Sequence, residues 1–424
     1  MNKLFTPVLL AFSLFLSSSQ AQVVTNAYCD GIRYKNQIFT NTVVTSNVQY
    51  GQNTGYCGES YSLKMDIYEP EGDAATARPV LFVNYGGSFI NGSKTDGYVV
   101  NICKDFAKRG FVTCAIDYRL FDLCNFPDSA IMLDVVVKAV GDQKAAIRFM
   151  REHAADYKVD TNFVFLSGVS AGGILALHTA YIDDVNEVPD YVANTILSNG
   201  GIEGNSSTNT QFSSAVQGVW SMSGGLHKAT WIDSNDPLLI AIHETQDPTV
   251  PYAHGFAQVS GLNLISIDGG SLMHNQCDNL TKPNVFFSIA NAGHTAYIQK
   301  PAIMDTLSNS AATMFESILC GNTAPNFVAE MPLNYSPNGM EEVQPALFTL
   351  SPNPAQSELV ITLENKAKLG SISIQDQLGR VVYSSDLNNQ SSVTISRGNW
   401  KAGLYFAQVN IPNQGVQTLK VVVE

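Results

Sequence analysis

FVFLSGVSAGGILALH, residues 163–178, is the stretch that decides how this chain folds. Phe163 to Leu166 form an apolar run of strand length, consistent with a strand buried on both faces. Gly168-Val169-Ser170-Ala171-Gly172 follows at once, and then an Ala/Leu-rich run that reads as a helix. A G-x-S-x-G between a strand and a helix marks a sharp turn that lifts one serine hydroxyl out of a sheet. The glycines are needed for steric reasons. With Ser170 in a strained backbone conformation, side chains at 168 and 172 would strike the neighbouring strand and helix. The motif alone recurs by chance in Gly/Ser-rich chains, so it is the strand-then-helix context that makes Ser170 a candidate nucleophile.

Outward from this turn, strands and helices alternate. VVTSNVQY (43–50) and SLKMDIYEP (62–70) alternate polar and apolar residues and read as antiparallel edge strands. PVLFVNYGGSF (79–89) is a buried strand running into a double glycine. A helix over about 99–108, a second buried strand over 111–118 and a long helix over 131–157 precede the serine turn. After it come a polar Asn/Ser/Gly stretch (198–214) and the short strand VQGVWSMSG. Two apolar strands follow, PLLIAIHETQD (237–247) and NVFFSIANAGH (284–294), and then a helix from about 302 to 319. Such alternation implies right-handed crossovers and a mostly parallel sheet with helices on both faces. Sites in sheets of this kind form at the carboxyl ends of the strands, where Tyr85-Gly86-Gly87, Ser170, Asp247 and His294 all fall.

At 424 residues, 45% hydrophobic and 14% charged, the chain is globular and long enough for two or three domains. A net charge of −13 with no basic patch argues against a nucleic-acid or anionic-membrane partner. Residues 1–21 read as a signal peptide: Lys3, an apolar core over 7–16, and Ser19-Gln20-Ala21 as the cleavage site. That core is too short for a permanent anchor, and no integral membrane segment is expected elsewhere. Seven cysteines (29, 57, 103, 114, 124, 277, 320) in an exported chain can form disulfides. The odd count leaves one over, and Cys114, inside the strand-like FVTCAI, is the expected unpaired residue. No spacing resembles a zinc or haem site, so neither a metal nor a cofactor is expected. Residues 321–346 carry Pro and Asn without periodicity and read as a linker. Residues 347–424 contain short strands only, and neither His nor Cys, which predicts a small all-β domain without chemistry of its own.

A serine hydroxyl needs a base, and the base needs an orienting carboxylate. With a serine on such a turn the chain order is Ser, then Asp or Glu, then His. Asp247, just beyond a buried strand, and His294, in a Gly-containing turn after the last strand, complete that order. Glu244 and Asp278 are less well placed carboxylates, and His254 and His274 weaker bases. Backbone N–H groups of Gly87, Ser88 and Ala171 are the expected donors to an oxyanion.

Several landmarks now line up. YGGSF (85–89), DYRL (117–120), DQKAAIRFMREHA (142–154), GVSAGG (168–173), HETQDPTVPY (243–252) and AGH (292–294) occur in order. On these motifs residues of about 43 to 320 resemble the α/β-hydrolase superfamily, in particular its carboxylesterase and hormone-sensitive-lipase-like branch. The resemblance implies an α/β-hydrolase domain over 22–320 and a serine carboxylesterase with Ser170, Asp247 and His294 as its triad. Tyr85 stands where that branch has His, and Ser88 where it has a third Gly. The backbone donors survive both changes, and Tyr85 and Phe89 are expected to contact substrate in the acyl pocket. In the tail, LSPNP (350–354), IQDQLGRVVY (374–383), AGLYFAQV (402–409) and the closing LKVVVE resemble the C-terminal sorting domain of the type IX secretion system. That resemblance implies the secretion machinery as a partner, and a product released or attached at the cell surface. A small carbohydrate-binding β-sandwich is the alternative for the tail.

Only a short connection fits between Gly225 and Pro237, and 198–214 is too polar for a lipase lid. An open cleft is therefore expected, suited to short acyl esters, acetyl or feruloyl groups on polysaccharide, or polyester. A lipase or a peptidase of the same fold is the alternative, and a non-catalytic surface adhesin the alternative of another class.

Overall fold

A computed structural model describes residues 25–125, 127–259, 261–333, 348–363, 370–376, 380–387, 390–411 and 415–424. The expected signal peptide, 1–21, lies outside the described residues. The chain divides into two compact units, Met1–Tyr335 and Ser336–Glu424.

The first unit begins with β1 (Thr42–Thr54), β2 (Ser60–Pro70) and β3 (Arg78–Asn84). Next are α1 (Gly97–Lys108), β4 (Val112–Ile116), α2 (Ser129–Glu152), β5 (Val159–Val169), α3 (Ala171–Tyr181) and α4 (Asp190–Ser198). Then come β6 (Gly218–Met222), β7 (Leu238–Glu244), β8 (His254–Val259), β9 (Leu262–Asp268) and α5 (Gly270–Asn279). The unit closes with β10 (Asn284–Ala290), α6 (Pro301–Cys320) and β11 (Phe327–Pro332). Nine strands make one sheet in the order β1-β2-β4-β3-β5-β6-β7-β10-β11. Only β1–β2 and β2–β4 pair antiparallel, and every other pairing in it is parallel. Every residue of β3, β4 and β6 is buried, which explains their unbroken apolar runs: helices cover both faces of a parallel sheet. This is the mostly parallel, helix-flanked sheet that the alternation implied.

Several details depart from the sequence reading. β2 is not an edge strand, because it lies between β1 and β4. The expected linker 321–346 contains β11, paired parallel to β10 at the sheet margin. Only Met331 of that strand is buried, so a margin strand left no alternation to read. Helix α4 and the β8–β9 hairpin fell in stretches with no assigned element. Of the cysteines, Cys29–Cys320 and Cys57–Cys124 are disulfides, and Cys103, Cys114 and Cys277 are free and buried. Cys114 is thus one of three unpaired thiols rather than the single one.

The polar stretch 198–214 is pinned to α2. Asp142, Arg148 and Arg151, all on α2, bond Ser206, Glu203 and Ser207, and the Ser213 and Ala215 carbonyls. Its composition reflects this network, since buried charges have to be paired and hydrogen-bonded.

The second unit is all-β: β12 (Phe348–Ser351), β13 (Glu358–Leu363), β14 (Ser371–Asp376), β15 (Val381–Asp386), β16 (Ser392–Ser396), β17 (Gly403–Ile411) and β18 (Gly415–Val423). They form antiparallel sheets β12-β13-β16 and β15-β14-β17-β18. Leu359, Ile361, Ile372, Ile374, Ile395, Val409 and Val421 fill the core between them. Among the described residues, no helix is long and apolar enough to cross a membrane.

Candidate active site

Ser170 sits between β5 and α3 with φ 54° and ψ −120°, in the left-handed region a side chain rarely adopts. Two bonds hold it there: its N–H donates to the Met222 carbonyl at 2.8 Å, and its own carbonyl accepts from the Ile174 N–H at 2.9 Å. The flanking glycines are required by space. A Cβ on Gly168 would lie 2.2 Å from the Gly172 carbonyl oxygen, and one on Gly172 would lie 2.3 Å from that of Asn84.

Asp247 and His294 arrive on the turns after β7 and β10. Those turns are tied together: Thr245 N–H donates to the Ile289 carbonyl (3.0 Å), Gln246 N–H to that of Ala292 (3.1 Å), and Asn291 N–H to Thr245 Oγ1 (2.9 Å). The result is a continuous chain. His294 Nε2 lies 2.8 Å from Ser170 Oγ, and His294 Nδ1 lies 2.6 Å from Asp247 Oδ2. The other carboxylate oxygen of Asp247 accepts the N–H groups of Thr249 (2.8 Å) and Val250 (3.0 Å). Burial pushes the Asp247 carboxyl up, but hydrogen bonds from His243 and His294 outweigh it and hold the group well below its usual range. It stays ionised.

His243 was quoted in the sequence only as part of a motif, and the structure gives it work. Its Nδ1 accepts the Gly270 N–H at 3.1 Å, so its proton is on Nε2. That nitrogen faces the Val250 carbonyl at 2.9 Å and Asp247 Oδ2 at 3.4 Å. His243 therefore supports Asp247 from behind. The signal for it was a histidine four residues before the acid, at the end of a buried strand. The rejected candidates have other partners. Glu244 Oε2 accepts from Ser223 Oγ (2.7 Å), which lies 2.9 Å from the Tyr297 hydroxyl. His254 pairs with Asp268 at 2.7 Å, and His274 lies 3.4 Å from Asp278.

Gly87, Ser88 and Phe89 all have positive φ. Among the described residues, the N–H groups of Gly87, Ser88 and Ala171 donate to no acceptor. Two tyrosines shape this loop: Tyr98 accepts from the Gly86 N–H (2.7 Å), and Tyr118 donates to the Tyr85 carbonyl (2.7 Å). Phe89, Ser88 and Ala171 line a small cavity of about 20 Å³ beside Ser170. Tyr85 does not reach that cavity, against the sequence expectation. It is buried and stacks on Tyr118 with ring centroids 4.3 Å apart, because the loop turns its side chain toward the core.

Residues 65–226 match the BD-FAE family model, and residues 349–424 match the secretion system C-terminal sorting domain. The chain is 31% identical over 113 residues to a probable carboxylic ester hydrolase, LipM, of Mycobacterium tuberculosis, covering 26% of this chain and 24% of that protein. It is 30% identical over 122 residues to a probable isoprenylcysteine alpha-carbonyl methylesterase of Arabidopsis thaliana, covering 29% and 23%. Esterase LipQ of M. tuberculosis is 25% identical over 244 residues, covering 50% and 51%. The chain thus spans about a quarter of the length of the first curated relatives it matches. Among solved structures, apo Thermogutta terrifontis esterase 2 aligns at 22% identity with a TM-score of 0.47, covering 65% of this chain and 96% of that one. This chain therefore joins a mostly parallel α/β sheet, in which residues 65–226 are similar to the BD-FAE family, to an all-β region, in which residues 349–424 are similar to the secretion system C-terminal sorting domain.

Proposed function

We propose that this protein is an exported serine carboxylesterase. The observation that carries the reading is the unbroken hydrogen-bonded chain Ser170–His294–Asp247 at the carboxyl ends of β5, β7 and β10. With Asp247 ionised and accepting from Nδ1–H, the Nε2 lone pair of His294 faces the Ser170 hydroxyl. Attack of Ser170 Oγ on an ester carbonyl delivers its proton to Nε2, and the Asp247 carboxylate stabilises the imidazolium. The developing oxyanion is received by the N–H groups of Gly87, Ser88 and Ala171, the last reinforced by the α3 dipole. His294 then protonates the departing alcohol. A water, deprotonated by the same nitrogen, releases the acid and restores Ser170.

Export follows from the second unit. A sorting domain marks a chain for secretion or surface attachment, and the N-terminal signal peptide would deliver it to that route through the type IX machinery. The relatives named as ester hydrolases support esters over peptides as substrates. The small cavity beside Ser170 admits a narrow acyl group, of which acetyl is the smallest. Ser170→Ala is expected to abolish hydrolysis of p-nitrophenyl acetate and labelling by a fluorophosphonate, with an unchanged circular dichroism spectrum. Retained turnover would remove Ser170 from the role. A folded wild-type protein that neither turns over esters nor takes the label would favour the adhesin reading.

A further inference from the structure

Resting on that ester-hydrolase reading, we infer that the preferred substrate carries an unbranched, medium-length apolar acyl chain, lodged in a cavity between α2, α4 and the β8–β9 hairpin. Two cavities follow one another along the side of α3. The one beside Ser170, of about 20 Å³, is walled by Ser88, Ala171 and Ile174. The other, of about 470 Å³, is walled by Leu133, Val140, Ile182, Ile196 and Trp231. Val136 and Ile265 belong to both walls, so the two cavities adjoin, and the small one lies between Ser170 and the large one as its waist. The path has a definite length. His178 also lines the large cavity, eight helical steps beyond Ser170, or about 12 Å at about 1.5 Å per residue.

The direction of the cavities selects the acyl side. The leaving-group oxygen has to sit at His294 Nε2 to be protonated, and no residue of the turn 291–298 lines either cavity. Ser88 and Ala171, which face the oxyanion, do line the waist. Its volume is on the order of one or two water-sized probes. A polymethylene chain has that girth, and a sugar or phenolic ring does not.

The chemistry of the wall selects an apolar occupant. Two histidines lie in it, yet each ring nitrogen already has a partner. His227 Nδ1 lies 2.7 Å from the Ser266 carbonyl, and His227 Nε2 lies 2.5 Å from the Tyr191 hydroxyl. His178 Nδ1 lies 2.8 Å from the Ile174 carbonyl, and His178 Nε2 accepts the His227 N–H at 3.3 Å. No ring nitrogen is left for a polyol or a phenol. Tyr191 and Phe256, both exposed, form a rim that opens the far end to solvent.

The full chain should be assayed on p-nitrophenyl acetate, butyrate, octanoate and decanoate, with methyl ferulate alongside. The expected result is kcat/KM rising from acetate to decanoate by about tenfold or more. Thr195→Trp and Ile202→Trp, which fill only the large cavity, are each expected to cut the decanoate-to-acetate ratio by about tenfold or more. Acetate turnover with a flat or falling series, with ferulate above decanoate, or with an unchanged ratio in both variants overturns the acyl-chain assignment and leaves the esterase reading standing. Turnover of none of these esters by the wild type overturns both. The wild-type series decides the matter even if either substitution impairs folding.

Discussion

Histidine protonation separates the roles of these side chains most clearly. His294 is held between Ser170 and Asp247, and His243 is fixed as its Nε2–H tautomer by the Gly270 N–H. His178 is different: burial pushes its pKa down from 6.5 to about 4. An unfolded chain therefore takes up a proton near pH 6.5 that the folded chain refuses until about pH 4. Stability from this group is complete above pH 6.5 and falls as pH drops through that window. His178→Gln is expected to flatten the loss of Tm between pH 6.5 and 4, even if it lowers Tm overall. Thermal melts across that range check it, and an unchanged slope would contradict the buried neutral imidazole.

At the scale of elements, the strand–turn–helix β5–α3 works because two backbones come closer than any side chain allows. Gly168→Ala would place a methyl group 2.2 Å from the Gly172 carbonyl oxygen, so the strand or the helix has to shift. The expected cost is about 1–3 kcal/mol, read as the urea midpoint, with ester hydrolysis lost as Ser170 moves off His294. The β8–β9 hairpin shows the opposite case. It is half exposed, and Phe256 is open to solvent where a core strand would bury it. Its burial pattern lacks clean alternation, so nothing local announced it. Its place follows from pairings elsewhere: Leu226 bridges to Asp268, and the Ala229 N–H donates to the Asp268 carboxylate.

On the scale of the molecule, the candidate active site and the sorting-domain match lie in separate units. Every histidine and cysteine is at or before Cys320, and the sorting-domain match is confined to 349–424. Removing residues 336–424 is expected to leave ester hydrolysis intact in the unit ending at Tyr335, while the truncated chain stays inside an exporting host. Activity in the cell and culture fractions tests both halves. Loss of activity on truncation would contradict two independent cores. The Cys29–Cys320 disulfide joins residues 291 apart and so encloses every strand of the α/β sheet except β11, tying the start of the unit to the end of α6.

Much of the site was legible because its chemistry is local. The Gly168–Gly172 turn, the acid after β7 and the histidine after β10 each follow an apolar run, and a buried parallel strand shows its end as a change of composition. Chain order then favoured Asp247 over Glu244, and it is Asp247 Oδ2 that lies 2.6 Å from His294 Nδ1. The sequence likewise separated the all-β tail from the α/β unit, through the switch from mixed elements to short strands. Other features depended on residues far apart in sequence. The support of Asp247 by His243 needed the Gly270 N–H, from another element, to set the tautomer. Tyr85 turned inward because Tyr118, 33 residues on, offers it a stacking face. The cysteine pairing, the marginal strand β11 and the cavity beyond Ser170 were settled the same way. Each depends on which surfaces meet once the sheet closes, and hydrophobic periodicity along one segment carries no record of its distant neighbours.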